Sequence, residues 1–246
     1  MPPLVTQFVS RLLNADRAMC EGVVIPPAHL RVCGNEFKDD AYFLKSARGE
    51  ARRLADKLGL TAQSTVLDLG CGAGRLAIGL GEQFPSLKYF GFDVSRPSIS
   101  WCRRHLSSKN PNFTFEHIDL WNPRYNPRGQ IRLEHYALPV PDASVDIVYM
   151  YSVFSHLKSP DIALHLKDFR RLLKPSGKIF LTAFAEDGVP DETENPGQYQ
   201  QGWKGPLHCI RFSRPFLEGL FSKAGFRVEE FVHGRETDGQ SAYTLS

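Results

Sequence analysis

No run of apolar residues approaches the roughly 20 that a membrane-spanning helix needs. The opening stretch, MPPLVTQFVSRLLNADRAM, lacks the continuous apolar core of a secretory signal, so none is expected. Cysteine is sparse. Cys20, Cys33, Cys71, Cys102 and Cys209 are scattered and never fall in CxxC spacing. That argues against a disulfide framework and against a structural zinc site, and fits free thiols in a cytoplasmic protein with no metal. Charge of one sign is also lacking: the formal net charge is +3. The basic pairs Arg52-Arg53, Arg103-Arg104 and Arg170-Arg171 lie in helix-like segments and form no stripe that would track phosphates. Neither a nucleic-acid partner nor a membrane surface is expected. No repeat period is visible.

What remains is an ordinary globular composition, 42% hydrophobic and 23% charged over 246 residues, which suits one α/β domain with elaborations. Leu4, Val5, Phe8, Val9, Leu12 and Leu13 recur at helical spacing and predict an amphipathic helix. GVVIPPAHLRVCG, broken by Pro26 and Pro27, predicts a loop. DDAYFLKSARGEARRLADKLGL predicts a helix capped by Asp39 or Asp40 and ending near Gly59. Strands and helices then alternate: STVLDL, a helix from Arg75 to Phe84, KYFGFD, a helix over RPSISWCRRHL, NFTFEHID, VDIVYMYS, a helix over SPDIALHLKDFRRLL, and GKIFLTAFA. KPSG reads as a turn, and residues 186–208 as a long loop. SRPFLEGLFSKAG predicts a last helix before the strands FRVEEFVHG and SAYTLS. Alternation on short connections predicts an α/β fold with a mostly parallel sheet covered by helices on both faces. The last two strands are joined by too few residues for a crossover helix, so they should be antiparallel.

The densest signal is VLDLGCGAGRL. An apolar strand runs into Gly70, Gly72 and Gly74, which permit positive φ and let the backbone approach a ligand without a Cβ in the way. The first strand-to-helix turn of such a sheet is the usual ligand site. A dinucleotide fingerprint, GxGxxG, would have its third glycine where Arg75 stands. Asp68, just before the turn, would repel a pyrophosphate and would suit a cationic ligand. Asp93 follows Asp68 by 25 positions, at the end of the next strand, where an acid can take ribose hydroxyls.

LDLGCGAGR resembles the glycine-rich motif of the class I S-adenosylmethionine-dependent methyltransferases. The likeness runs from about residue 40 to the end. It takes in FDVS, HIDL, PVPDASVDIVYMYSVFSHL, LLKPSGKIFLTAF and FLEGLFSKAGFRV in that order. YNPRG resembles small bacterial members with a YNPxG-like insertion, and NPRY, although like the (N/D)PPY motif, is misplaced for that role and reads as a turn. The resemblance implies a Rossmann-like doubly wound sheet whose last strand is antiparallel. Residues 41–246 would be the methyltransferase domain and residues 1–40 a helical cap or lid, with 121–136 and 186–212 as acceptor-side insertions.

The resemblance implies S-adenosyl-L-methionine as cofactor and S-adenosyl-L-homocysteine as product. The cofactor would meet Asp68, Gly70, Cys71, Gly72 and Gly74, with Arg75 either on its carboxylate or in a surface ion pair. Asp93, Val94 and Ser95 would lie at the ribose and the adenine edge. Asp119 and the Leu120 N–H would meet the adenine, with Glu134 as a competitor for the acid's place. Tyr151 and Ser152 would face the methionine portion, and Tyr151 would also wall the transfer site. His156 and His208 are candidate general bases, and Tyr199, Trp203, His208 and Phe212 a candidate aromatic lid over the acceptor. The expected acceptor is a small molecule, a hydroxyl of a natural product or sugar-like compound. A small amine as acceptor and a non-catalytic cofactor-binding regulator stay open, as does the choice between monomer and homodimer.

Overall fold

A computed structural model describes residues 16–197 and 202–246. The helix expected over Leu4–Leu13, and Tyr199, lie outside the described residues. The chain enters as a hairpin, β1 Ala18–Cys20 and β2 Val23–Ile25. Glu21 and Gly22 turn it with φ of 50° and 78°. Positive φ at both turn residues matches the twist of a two-residue hairpin. Val23–Ile25, expected as part of a loop, is thus a strand. Two short 3₁₀ turns follow, and the buried Arg31 fastens them. Its guanidinium donates to the carbonyls of Pro26 (2.8 Å), Phe37 and Lys38 and pairs with Asp40 at 2.7 Å.

Helix α1 spans Asp40–Leu58. Asp39 caps it by accepting from the Tyr42 N–H at 2.7 Å, and Gly59 ends it in the left-handed region. Its apolar face, with Phe43, Leu44, Ala47, Ala51 and Leu54, is buried against helix α2, Arg75–Gln83. The two helices touch at Gly79, where a Cβ would stand 2.0 Å from the Ala47 carbonyl oxygen.

The central sheet takes β3 Thr65–Leu69, β4 Lys88–Asp93, β5 Phe113–His117, β6 Val145–Met150, β7 Leu173–Glu186, β10 Val228–Val232 and β11 Ser241–Leu245. Their spatial order is β10-β11-β7-β6-β3-β4-β5. β3 to β7 pair in parallel, and β11 runs antiparallel to both of its neighbours. Helix α3, Arg96–Cys102, continues as a π-helical turn over Arg103–Ser107. Helices α4, Ser159–Leu172, and α5, Arg214–Lys223, connect the later strands. Two apolar clusters fill the faces of the sheet. One is built with α1 and α2, the other with α4 and α5.

The turn expected at KPSG lies inside β7. Pairing with β6 jumps from Val145–Leu173 to Ile147–Lys178, so the turn is a bulge in a continuing ladder. The stretch expected as a long loop contains β8, Glu192–Glu194, which pairs with β9, Ile210–Ser213, and β9 extends the far end of β7. No helix among the described residues is long and apolar enough to cross a membrane.

Candidate cofactor and acceptor cleft

The chain builds one half of the sheet outward from β3 to β4 and β5, then returns to place β6 on β3's other edge. Order reverses at β3, and ligands of such sheets bind beyond the strand ends at this point. A cleft of about 1210 Å³ opens there.

Its floor is the glycine turn, and the three glycines serve different ends. Gly70, Gly72 and Gly74 have φ of 79°, 52° and 79°. A Cβ on Gly70 would stand 2.5 Å from Val153 Cγ2, and one on Gly74 would stand 2.5 Å from Leu106 Cδ1. Those two let elements pack. A Cβ on Gly72 would meet no protein atom within 4 Å, so its bare backbone faces the cleft. The turn is held from behind by the Phe92 carbonyl, which accepts from the Gly70 and Cys71 N–H groups at 2.8 and 3.1 Å.

Three acids line the floor. Asp68 is buried, accepts from the Tyr89 hydroxyl at 2.6 Å, and has its pKa pushed up to about 7 by burial, against that hydrogen bond and the charge of Arg75. Asp93 ends β4. Its two oxygens accept from the Gly72 N–H at 2.7 Å and the Ser95 N–H at 2.6 Å, while burial raises its pKa. Val94 and Ser95 follow on the cleft wall, with Ser95 as the N-cap of α3.

Asp119 lies two residues beyond the end of β5, and does not end the strand as the pattern suggested. Asn126 Nδ2 donates to it at 3.1 Å and holds its carboxyl below the ordinary range, with the Gln130 N–H at 3.3 Å. Leu120 beside it pairs with Ile131. Glu134 also lines the cleft, on the side facing α4.

Arg75 is buried, which removes the surface ion pair. It donates to Ser46 Oγ at 2.8 Å and the Tyr149 hydroxyl at 3.3 Å. It also stands 3.9 Å from Glu50, with its guanidinium 4.4 Å over the Tyr151 ring. Tyr151 is pinned in turn through its hydroxyl, 2.9 Å from Thr237 Oγ1. Ser152 has φ of 58°, and its N–H donates to Thr182 Oγ1 at 2.8 Å. Gln240 donates to its hydroxyl at 2.9 Å. A non-glycine residue in that region stores strain, which here kinks the chain at the end of β6 into the cleft.

His156 lies on the same wall, its ring edge-on to Tyr125 at 5.1 Å. Its Nδ1 is 3.0 Å from the Leu207 carbonyl, which can only accept, so Nδ1 carries the proton and Nε2 holds a lone pair. Burial pulls its pKa down to about 4, so the ring is neutral near pH 7.

The aromatic lid is not assembled from the expected residues. Phe212 is wholly buried in β9, stacked on Phe216. Trp203 packs edge-on to Phe184 and His208, and His208 Nδ1 lies 2.9 Å from the Lys204 amide. None of the three lines the cleft, and the loop reaches it through Pro206 and Leu207 instead. The insertion reads as the expected turn. Asn122 Oδ1 accepts from the Arg124 and Tyr125 N–H groups at 2.9 and 3.0 Å, an Asx turn. Residues with little signal in sequence also build the cleft: Arg31, Phe37, Tyr125 and His165.

A doubly wound sheet with its antiparallel strand beside β7, a glycine turn at the switch point and acids at the ends of β3 and β4 defines a nucleoside-cofactor domain. The particular family follows from comparison: a family model described as a methyltransferase domain matches residues 43–230, and the chain belongs to that family. That family is the class I S-adenosylmethionine-dependent methyltransferases, with S-adenosyl-L-methionine as cofactor. The chain is 27% identical over 132 residues to a malonyl-[acyl-carrier protein] O-methyltransferase from Xylella fastidiosa, a match covering 54% of this chain and 39% of that one. It is 25% identical over 190 residues to a tRNA N(3)-cytidine methyltransferase from Gallus gallus, covering 73% and 48%. The matches thus span less than half of either relative. Among solved structures, Burkholderia thailandensis 1,6-didemethyltoxoflavin-N1-methyltransferase, with its substrate and S-adenosylhomocysteine bound, shares the fold. Its TM-score is 0.54 at 19% identity, over 84% of this chain and 80% of that one.

Proposed function

We propose that this methyltransferase acts on a hydroxyl of a small molecule, a natural product or sugar-like compound. The observation that carries this reading is His156. It is a neutral imidazole whose tautomer is fixed by the Leu207 carbonyl, beside the Tyr151-Ser152 turn, with the Nε2 lone pair left to take a proton. A hydroxyl is the acceptor that most needs such a base, and general-base help contributes about 10²–10⁴-fold. The volume of the cleft agrees. Single small-molecule pockets run to about 1,000 Å³, and this one, at about 1210 Å³, has room for cofactor and acceptor together.

The residues fit the cofactor. When bound, it supplies a methyl group on a sulfonium, already a good leaving group, so the protein's main task is alignment, worth roughly 7–11 kcal/mol in well-oriented cases. Gly72 would admit it at bare backbone, Asp68 would face its cationic end, and Asp93 its ribose. Asp119 and the Leu120 N–H would meet its adenine. Arg75, or the Tyr151-Ser152 turn that Arg75 braces, would hold the methionine carboxylate. His156 would take the acceptor's proton as the new bond forms.

Charges of both signs line the cleft, Arg96, Arg128 and Arg132 together with Asp119, Glu134 and Asp161. That pattern favours a compact acceptor over a polyanion such as tRNA. Methyl-donor consumption measured across matched phenols, sugar alcohols, small amines and transcribed tRNA tests the reading. Turnover with a hydroxyl acceptor that collapses in His156→Ala is expected; turnover with amines or tRNA alone overturns it.

A further inference from the structure

Beyond the cofactor floor and His156, the cleft has a second lobe against α4. Asp161 and His165 stand four residues apart on that helix, so they share one face. The 3₁₀ turn Leu133–His135 packs on α4 and brings Glu134 to the same wall. Glu134 is exposed at the rim, Asp161 is half-buried, and His165 is only 7% exposed.

What separates Glu134 and Asp161 from the other acids of the cleft is that no described residue donates to them. Asp68, Asp93, Asp119 and Glu194 each accept hydrogen bonds from the protein. The one lysine nearby, Lys158, is paired with Glu194 at 3.0 Å. Among the described residues, neither Glu134 nor Asp161 has a cation or a donor, and the His165 ring nitrogens have no hydrogen-bond partner. The imidazole is clamped on its flat side by Phe169, ring centroids 5.9 Å apart. Burial, and then the charges of Glu134 and Glu192, push the Asp161 carboxyl up, and burial pulls His165 down to about 4 against the charge of Asp168, leaving a neutral ring. Two acids and one neutral nitrogen base present acceptors to this lobe, and the arginine next along the chain, Arg132, lies over the Trp121 ring at 4.1 Å and is not paired with either acid.

We propose that this lobe is an acceptor subsite for a protonated amine, with Asp161 and Glu134 neutralising the ammonium and His165 accepting one of its N–H bonds. The inference rests on the proposed acceptor reading and narrows it: the small molecule carries an amino group away from the oxygen to be methylated.

The test uses three phenols of matched skeleton: tyramine, 4-ethylphenol and 3-(4-hydroxyphenyl)propionate. Their affinities are measured by calorimetry on the full chain saturated with S-adenosylhomocysteine. Tyramine should bind about tenfold tighter than 4-ethylphenol, the scale of one charged hydrogen bond, and the propionate most weakly. Asp161→Asn and Glu134→Gln should each shrink that preference, with S-adenosylhomocysteine affinity unchanged, which also shows that the variants fold. Equal affinity for tyramine and 4-ethylphenol overturns the proposal, as do failure of tyramine to bind and a preference that survives in both variants. Weakened S-adenosylhomocysteine binding in the variants overturns it too, because the lobe would then belong to the adenine. Methyl transfer is read separately in the same samples. Preference without hydroxyl turnover keeps the amine subsite and sinks the hydroxyl reading, and turnover without preference does the reverse.

Discussion

Asp93 and Gly72 are fastened to each other: the Asp93 carboxylate accepts the Gly72 N–H at 2.7 Å, so the acid at the end of β4 also sets the shape of the glycine turn after β3. Its other oxygen holds the Ser95 N–H at 2.6 Å. Asp93→Ala therefore removes a ribose partner and loosens the backbone that would cup the cofactor. Charged hydrogen bonds are worth about 1.5–3 kcal/mol. S-adenosylhomocysteine affinity should fall by about 10–100-fold, and titration calorimetry reads this directly. Unchanged affinity would take Asp93 off the cofactor.

The three glycines should fail differently. Gly70→Ala and Gly74→Ala drive a Cβ to within 2.5 Å of Val153 and Leu106, so both should lower the melting temperature. Gly72→Ala meets no protein atom and carries only the cost of a left-handed residue, about 1–2 kcal/mol. Its larger effect should be on cofactor affinity. Thermal melts with and without S-adenosylhomocysteine separate the two patterns, and a Gly72→Ala protein that binds normally would contradict the assignment.

Much of this could be read from sequence, and the limits have physical causes. The α1 boundaries follow from a capping aspartate and a left-handed glycine, both local chemistry. β4 falls where KYFGFD puts it, because a buried central strand is an apolar run between turns. The antiparallel last strand follows from connector length alone. The β1-β2 hairpin was hidden because Glu21-Gly22 is a weak turn signal and the two prolines after it look like loop. β9 was hidden by its shortness and by the tertiary partner, β7, that makes it a strand. In the site, the residues proposed to face the cofactor cluster around one turn, and that cluster is legible in the sequence. The lid was not, because an aromatic in a loop and an aromatic in a short core strand look alike in sequence. Phe212 proved to be core. His165 gave no signal because a histidine on the apolar face of a helix reads as packing.

His156 is held neutral down to about pH 4, so the acid limb of its contribution to turnover should fall well below the ordinary histidine value near 6.5. His156→Ala should lower kcat by about 10²–10⁴-fold and leave S-adenosylhomocysteine affinity near wild type. His156 and His165 also shape acid stability. Both are depressed to about 4, so between about 6.5 and 4 the unfolded chain binds more protons and stability falls as pH drops. Urea melts at pH 7 and pH 5 check this, and equal midpoints would contradict it.

Asp68 has the opposite sign. Its folded pKa of about 7 lies above the ordinary 3.8, so its carboxylate destabilises the cofactor-free fold as pH rises through that window. A cationic ligand beside it should pull the pKa down and release a proton. Calorimetry at pH 6 in buffers of different ionisation enthalpy should show about one proton released on binding S-adenosylhomocysteine, and almost none at pH 8.5. Asp68→Asn should abolish the difference. Proton release that is independent of pH would exclude the contact.

The most direct measurement is titration calorimetry of the full chain with S-adenosyl-L-homocysteine against NAD, each repeated on Gly72→Ala. Saturable one-to-one binding of S-adenosyl-L-homocysteine, weakened by the glycine substitution, with no heat from NAD, is expected. Binding of NAD in its place, or S-adenosyl-L-homocysteine affinity indifferent to residue 72, would contradict a cofactor seated on that turn.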